Sequence, residues 1–120
     1  MKYFTKEYIE LCRDEKIQGL RKNFELGDWY WHEGIFLVSE QSLEYGFNDR
    51  DILIWLPRGD QLDEEIAKVV SGNFESYDVS YKYNEGEGDY IYTVKVYGDA
   101  PKYTITDNNP LIAKIKLLKQ

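Results

Sequence analysis

YDVSYKYNEGEGDYIYTVKVYG, residues 77–98, decides the fold. Tyr77, Val79, Tyr81 and Tyr83 alternate with Asp78, Ser80 and Lys82, the period of a half-buried strand. Folding the stretch at Glu85-Gly86-Glu87-Gly88 sets Asn84 opposite Asp89. Tyr83 then faces Tyr90, Tyr81 faces Tyr92, Val79 faces Val94 and Tyr77 faces Val96. The opposite side pairs Ser80 with Thr93 and Asp78 with Lys95. Both faces support one register, and a slip of one residue breaks both. The stretch predicts a Tyr-rich antiparallel hairpin over 76–97, with a further short strand over 102–106.

Downstream, Asn109-Pro110 reads as an N-cap followed by proline at the first helical position. Leu111, Ile112, Ile115 and Leu118 give a helix near 110–119 its apolar face. Lys114, Lys116 and Lys119 sit towards its C-terminus, where positive charge is favoured. Upstream, Asp60 reads as an N-cap and Asp63, Glu64 and Glu65 as a first turn. Leu62, Ile66, Val69 and Val70 form one stripe of a helix over 61–71, stopped by Ser71-Gly72. Residues 52–56, ILIWL, are apolar on both faces, predict an internal strand, and end at Pro57.

GDWYWHEG, residues 27–34, opens a second hairpin over 28–39. A two-residue turn at Glu33-Gly34 pairs Trp29 with Val38, Tyr30 with Leu37 and Trp31 with Phe36. That register places Trp29, Trp31, Phe36 and Val38 on the core face. It leaves Tyr30, His32, Ile35 and Leu37 on the other. Residues 40–51, EQSLEYGFNDRD, read as an acidic loop. Thr5 caps a helix near 6–13 carrying Tyr8, Ile9, Leu11 and Cys12, which Ile17, Leu20 and Phe24 either extend or follow. The order is helix, hairpin, strand, helix, hairpin, helix. It predicts a single α+β domain over 1–120 with a mainly antiparallel sheet.

The totals agree with this reading. A chain of 120 residues buries roughly two thirds of its unfolded surface and needs no staple. One cysteine excludes an internal disulfide and fits a reducing compartment. No apolar run approaches the ~20 residues of a membrane span. The first residues carry acids where a signal peptide needs an apolar stretch, so the expected location is the cytoplasm.

Net charge is −7, and its placement is uneven. Residues 25–65 hold eleven acids and two arginines, a net −9, whereas residues 1–24 carry +2 and residues 66–120 balance. Phosphate contacts need clustered cations, so direct nucleic-acid binding is disfavoured. The acidic segment points to a partner with a basic surface, or serves solubility alone.

Catalytic templates fail. The chain has no HExxH, no cysteine pair and no P-loop, and one histidine cannot build a multi-histidine metal site. Gly86-x-Gly88 lacks the third glycine and the helix of a dinucleotide site. Cys12 and His32 form a nucleophile–base pair on paper, but a cysteine on an apolar helix stripe is usually core. Arg58-Gly59-Asp60 matches an adhesion tripeptide, yet Asp60 already has work as a cap. The acidic tip Asn84 to Asp89 offers oxygen ligands without calcium-loop spacing, and a plain turn accounts for it. The tyrosine ladder is core on a covered face and a contact surface on an open one, with Tyr83 and Tyr90 near the tip reaching solvent.

No catalytic, metal or cofactor-binding residue is assigned. The candidate partner-binding residues are Tyr30, His32, Glu40, Glu44, Asp49, Asp51, Tyr83, Glu85, Glu87 and Tyr90.

With these segments placed, FTKEYIELCRDEKIQGLRK (4–22), GDW (27–29), IWLPRGDQLDEEI (54–66) and NPLIAKIKLLK (109–119) carry a resemblance. The chain resembles small proteins without assigned activity encoded by phages and prophages of Gram-positive bacteria. The likeness spans most of the chain, and WLPRGDQLDEEI is its most specific block. The Tyr-rich hairpin lies outside the pattern. The resemblance implies a setting, an accessory phage gene acting in the host cytoplasm, and no mechanism. The function expected is non-enzymatic: a binding or inhibitory protein that turns an acidic surface on a host or defence protein. A small-ligand (nucleotide) sequestering protein and a structural or assembly component are the alternatives. A homo-oligomer is compatible with each.

Overall fold

The computed structural model describes residues 2–21, 23–41, 53–73, 76–84, 86, 89–97 and 103–119. The chain is α+β, with two small antiparallel sheets, and divides into two compact units, residues 1–58 and 59–120.

In the first unit, Thr5 Oγ1 accepts a hydrogen bond from the Tyr8 N–H at 3.2 Å and starts helix α1, Lys6–Cys12. The helix turns Tyr8 and Cys12 inward, and both are fully buried. Tyr8 stacks on Phe4 at 5.7 Å, and its hydroxyl donates to the Pro57 carbonyl at 2.7 Å. Ile17 does not extend this helix. Asp14 caps a separate single turn, α2, Glu15–Gln18, through its Oδ1 and the Lys16 N–H.

Strands β1 (Trp29–Trp31), β2 (Ile35–Leu37) and β3 (Ile54–Leu56) form a sheet in the order β2-β1-β3. The register differs by one residue from the sequence expectation: Trp29 faces Leu37, Tyr30 faces Phe36 and Trp31 faces Ile35. The connection is three residues long, because Glu33 adopts φ 54° and Gly34 φ 155°. The angle at Gly34 favours glycine, and a Cβ there would also lie a tight 3.2 Å from Cε2 of the Phe36 ring.

The slip exchanges the faces of the β1 residues, while those of β2 keep the faces expected of them. Tyr30, Phe36 and Trp55 now share a side, and Phe24, Val38, Leu53 and Trp55 form a core cluster with Tyr30 packed against it. Trp29 and Trp31 are half-buried on the other side, beside Phe4 and Arg13 respectively.

The structure places β3 at the end of the sheet order, not inside it. Its free edge is covered by a side chain. Trp55 N–H donates to Gln18 Oε1 at 2.9 Å, and Gln18 Nε2 donates to the Trp55 carbonyl at 3.0 Å. The amide thus stands in for a neighbouring strand at that residue. It also donates to the Cys12 carbonyl at 2.6 Å and ties both helices to the edge.

In the second unit, helix α3 runs from Gly59 to Asn73. It starts two residues earlier than expected, so Asp60 lies inside the first turn and is not the cap. It also continues through Ser71-Gly72. Leu62 and Ile66 are buried, but Val69 is exposed, and the apolar stripe is narrower than the sequence pattern. Strands β4 (Ser76–Asn84) and β5 (Asp89–Tyr97) pair in the register expected, from Tyr77 with Val96 to Asn84 with Asp89. Strand β6, Tyr103–Asp107, pairs with β5.

Asn109 Oδ1 accepts from the Leu111 and Ile112 N–H groups and caps helix α4, Pro110–Leu118. This helix buries Leu111, Ile112, Ala113, Ile115 and Leu118. Lys114 pairs with Asp63 at 2.9 Å, and Lys116 with Asp107 at 3.3 Å.

Candidate functional site

The β1–β2 hairpin is anchored by a buried carboxylate. Asp28 is 2% exposed. Its Oδ1 accepts from Arg21 Nη2 at 2.9 Å and its Oδ2 from the Glu25 N–H at 2.9 Å. The Asp28 carbonyl accepts from the Val38 N–H, and the Gly27 N–H donates to the Val38 carbonyl. Arg58 Nη1 donates to the Gly27 carbonyl. The Arg21 guanidinium lies over the Trp55 ring, 5.2 Å from its centroid. Arg21 Nε and Trp55 Nε1 are buried there without an acceptor among the described residues, a cost that the cation–π contact offsets in part.

From this anchor the hairpin presents apolar side chains to solvent. Leu26 is 59% exposed, Phe36 48% and Leu37 50%. Phe36 stacks on Tyr30 at 5.6 Å, and Tyr30 meets Phe24 edge-on at 6.1 Å. Residues 23–41, which contain the whole hairpin, hold Glu25, Asp28, Glu33 and Glu40 and no lysine or arginine. Arg21 pairs with both Asp28 and Glu25, at 2.9 and 3.4 Å, and the carboxylates of Glu25, Glu33 and Glu40 are exposed.

The sequence candidates fall unevenly on this geometry. Tyr30 is half-buried and belongs to the core side of the sheet, not to the opposite face that the expected register gave it. His32 and Glu40 are exposed at opposite ends of β2. Tyr83 and Tyr90 face each other beside the closing Asn84–Asp89 pair of the long hairpin. Glu44, Asp49, Asp51, Glu85 and Glu87 lie outside the described residues. The sequence reading missed Leu26, assigned Phe36 to the core and placed Leu37 beside Tyr30. For the faces of β1 the turn glycine was the available signal, since a three-residue connection changes which residues share a face.

The chemistry is sparse. Cys12 is fully buried in α1 and His32 is exposed, so the thiol offers no surface to a substrate. Burial, reinforced by the neighbouring Cys12, holds the Tyr8 hydroxyl protonated far above its ordinary range. Among the described residues, no group of three His, Cys, Asp or Glu side chains is placed to hold a metal ion. No helix among them is long and apolar enough to cross a membrane. Comparison with protein families, curated proteins and solved structures returns no match for this chain.

Proposed function

We propose that this chain is a non-enzymatic binding protein of the phage accessory type, acting in the host cytoplasm on a host or defence protein with a basic surface. The observation that carries the reading is the exposed apolar group Leu26, Phe36 and Leu37, set within a stretch whose only charged side chains are carboxylates. Exposed large side chains beside carboxylates match how binding surfaces are built: apolar contacts supply affinity, and charge selects and steers the partner. The phage setting rests on the sequence blocks quoted above.

Retention of partners from a Gram-positive host lysate tests the reading. The wild type is expected to hold a partner at low salt and release it as salt screens the carboxylates. A Phe36→Asp/Leu37→Asp double variant is expected to lose it at both salt levels. A wild type that retains nothing under either condition overturns the proposal.

A further inference from the structure

The outer edge of β2 has its backbone groups turned away from the sheet. In an antiparallel pair, hydrogen-bonded and non-bonded residue pairs alternate. Here the His32 N–H donates to the Gly34 carbonyl at 2.9 Å, and the Val38 N–H to the Asp28 carbonyl at 2.8 Å. The Tyr30–Phe36 pair lies two residues from each, so it is bonded as well. Phe36 therefore spends its N–H and C=O on β1. Ile35 and Leu37 point theirs outward, at the end of the described strand order. Among the described residues the two ends of the first sheet differ in this respect, because Gln18 covers the outward groups of Trp55 on β3.

We infer that β2 accepts an added strand from the partner, an extended segment that alternates apolar and basic residues. The inference rests on the binding reading above and specifies its mode. Two features select the occupant. The exposed Phe36 and Leu37 lie on opposite faces of β2, so an incoming strand meets apolar surface on both sides. The exposed carboxylates of Glu33 and Glu40 bracket β2 along the chain, and residues 23–41 supply no cation to answer them. A lysine- or arginine-bearing strand is complementary to that charge, whereas a second copy of the same hairpin brings carboxylates against carboxylates.

The experiment follows amide exchange in the intact, isotope-labelled protein as a short peptide alternating valine and lysine is added. Binding is expected to slow exchange at Ile35 and Leu37 by roughly tenfold or more while Phe36 changes little, because it is already paired. A valine–glutamate peptide is expected to leave all three unchanged. A Leu37→Pro variant removes one outward donor and is expected to weaken valine–lysine binding, whereas Leu37→Thr keeps that donor.

Binding without protection at Ile35 and Leu37 overturns strand addition and leaves the binding reading standing. Equal response to both peptides overturns the charge assignment. Protection that rises with protein concentration alone makes a second copy the occupant and overturns the proposal. No binding of the valine–lysine peptide at low salt also overturns it, with the lysate result judging the broader reading separately.

Discussion

Asp28 shows how one side chain anchors the base of a hairpin. The carboxylate is buried, joined to Arg21 and to the Glu25 N–H, while its own backbone carbonyl receives Val38. Asp28→Ala leaves Arg21 without that partner and the Glu25 N–H without an acceptor, and should lower stability by about 2–3 kcal/mol. All three tryptophans lie within residues 29–55, so their fluorescence in a urea titration reports on the first unit. An unchanged midpoint would remove Asp28 from this role. Tyr8 makes a different case. Its neutral hydroxyl serves the Pro57 carbonyl, and burial opposes ionisation, so its pKa is higher folded than unfolded. The stability it contributes is full below the unfolded tyrosine value of about 10 and is lost as pH rises beyond it. Tyr8→Phe should cost about 1 kcal/mol at neutral pH. The gap between wild type and variant should then narrow above pH ~10, where only the wild type must keep this phenol neutral. A gap independent of pH would mean that Tyr8 ionises as readily folded as unfolded.

At the scale of elements, the two hairpins explain what could be read in advance. The β4–β5 strands alternate tyrosine or valine with mostly polar residues, so a slip of one residue puts polar side chains among apolar ones. The β1–β2 strands read Trp-Tyr-Trp and Ile-Phe-Leu, large and apolar on both faces. A slip there breaks no pattern, and the turn decides, through backbone angles at Glu33 and Gly34 that side-chain alternation does not reveal. The helix caps Thr5 and Asn109 were legible because capping is local chemistry. Gln18 was not, because its partner is 37 residues away. Its amide is the device that closes β3. Gln18→Ala should expose both Trp55 backbone groups, lower stability by about 2 kcal/mol and speed Trp55 amide exchange roughly tenfold or more. Unchanged exchange at Trp55 would show that another group covers that edge.

At the scale of the whole molecule, the candidate site was half legible. Charge placement is a property of the sequence and directed attention to residues 25–65, where Glu25, Glu33 and Glu40 are exposed. Apolar exposure depends on how far each face is covered, which the pattern does not show: Phe36 takes the core side expected of it and is still 48% exposed. The two features act together. At neutral pH the net charge of −7 opposes association of copies, while Leu26, Phe36 and Leu37 are open to solvent. Towards the isoelectric point near pH 4.7 that repulsion vanishes and the apolar surface remains. Light scattering from pH 7 downwards should therefore show the wild type associating as pH approaches the isoelectric point. Phe36→Ser/Leu37→Ser leaves the net charge as it is and should suppress much of that association, provided tryptophan fluorescence reports a folded first unit in both proteins. Equal association of the two would place the sticky surface elsewhere. Suppression by the serine variant would show that Phe36 and Leu37 carry the association that net charge opposes at neutral pH.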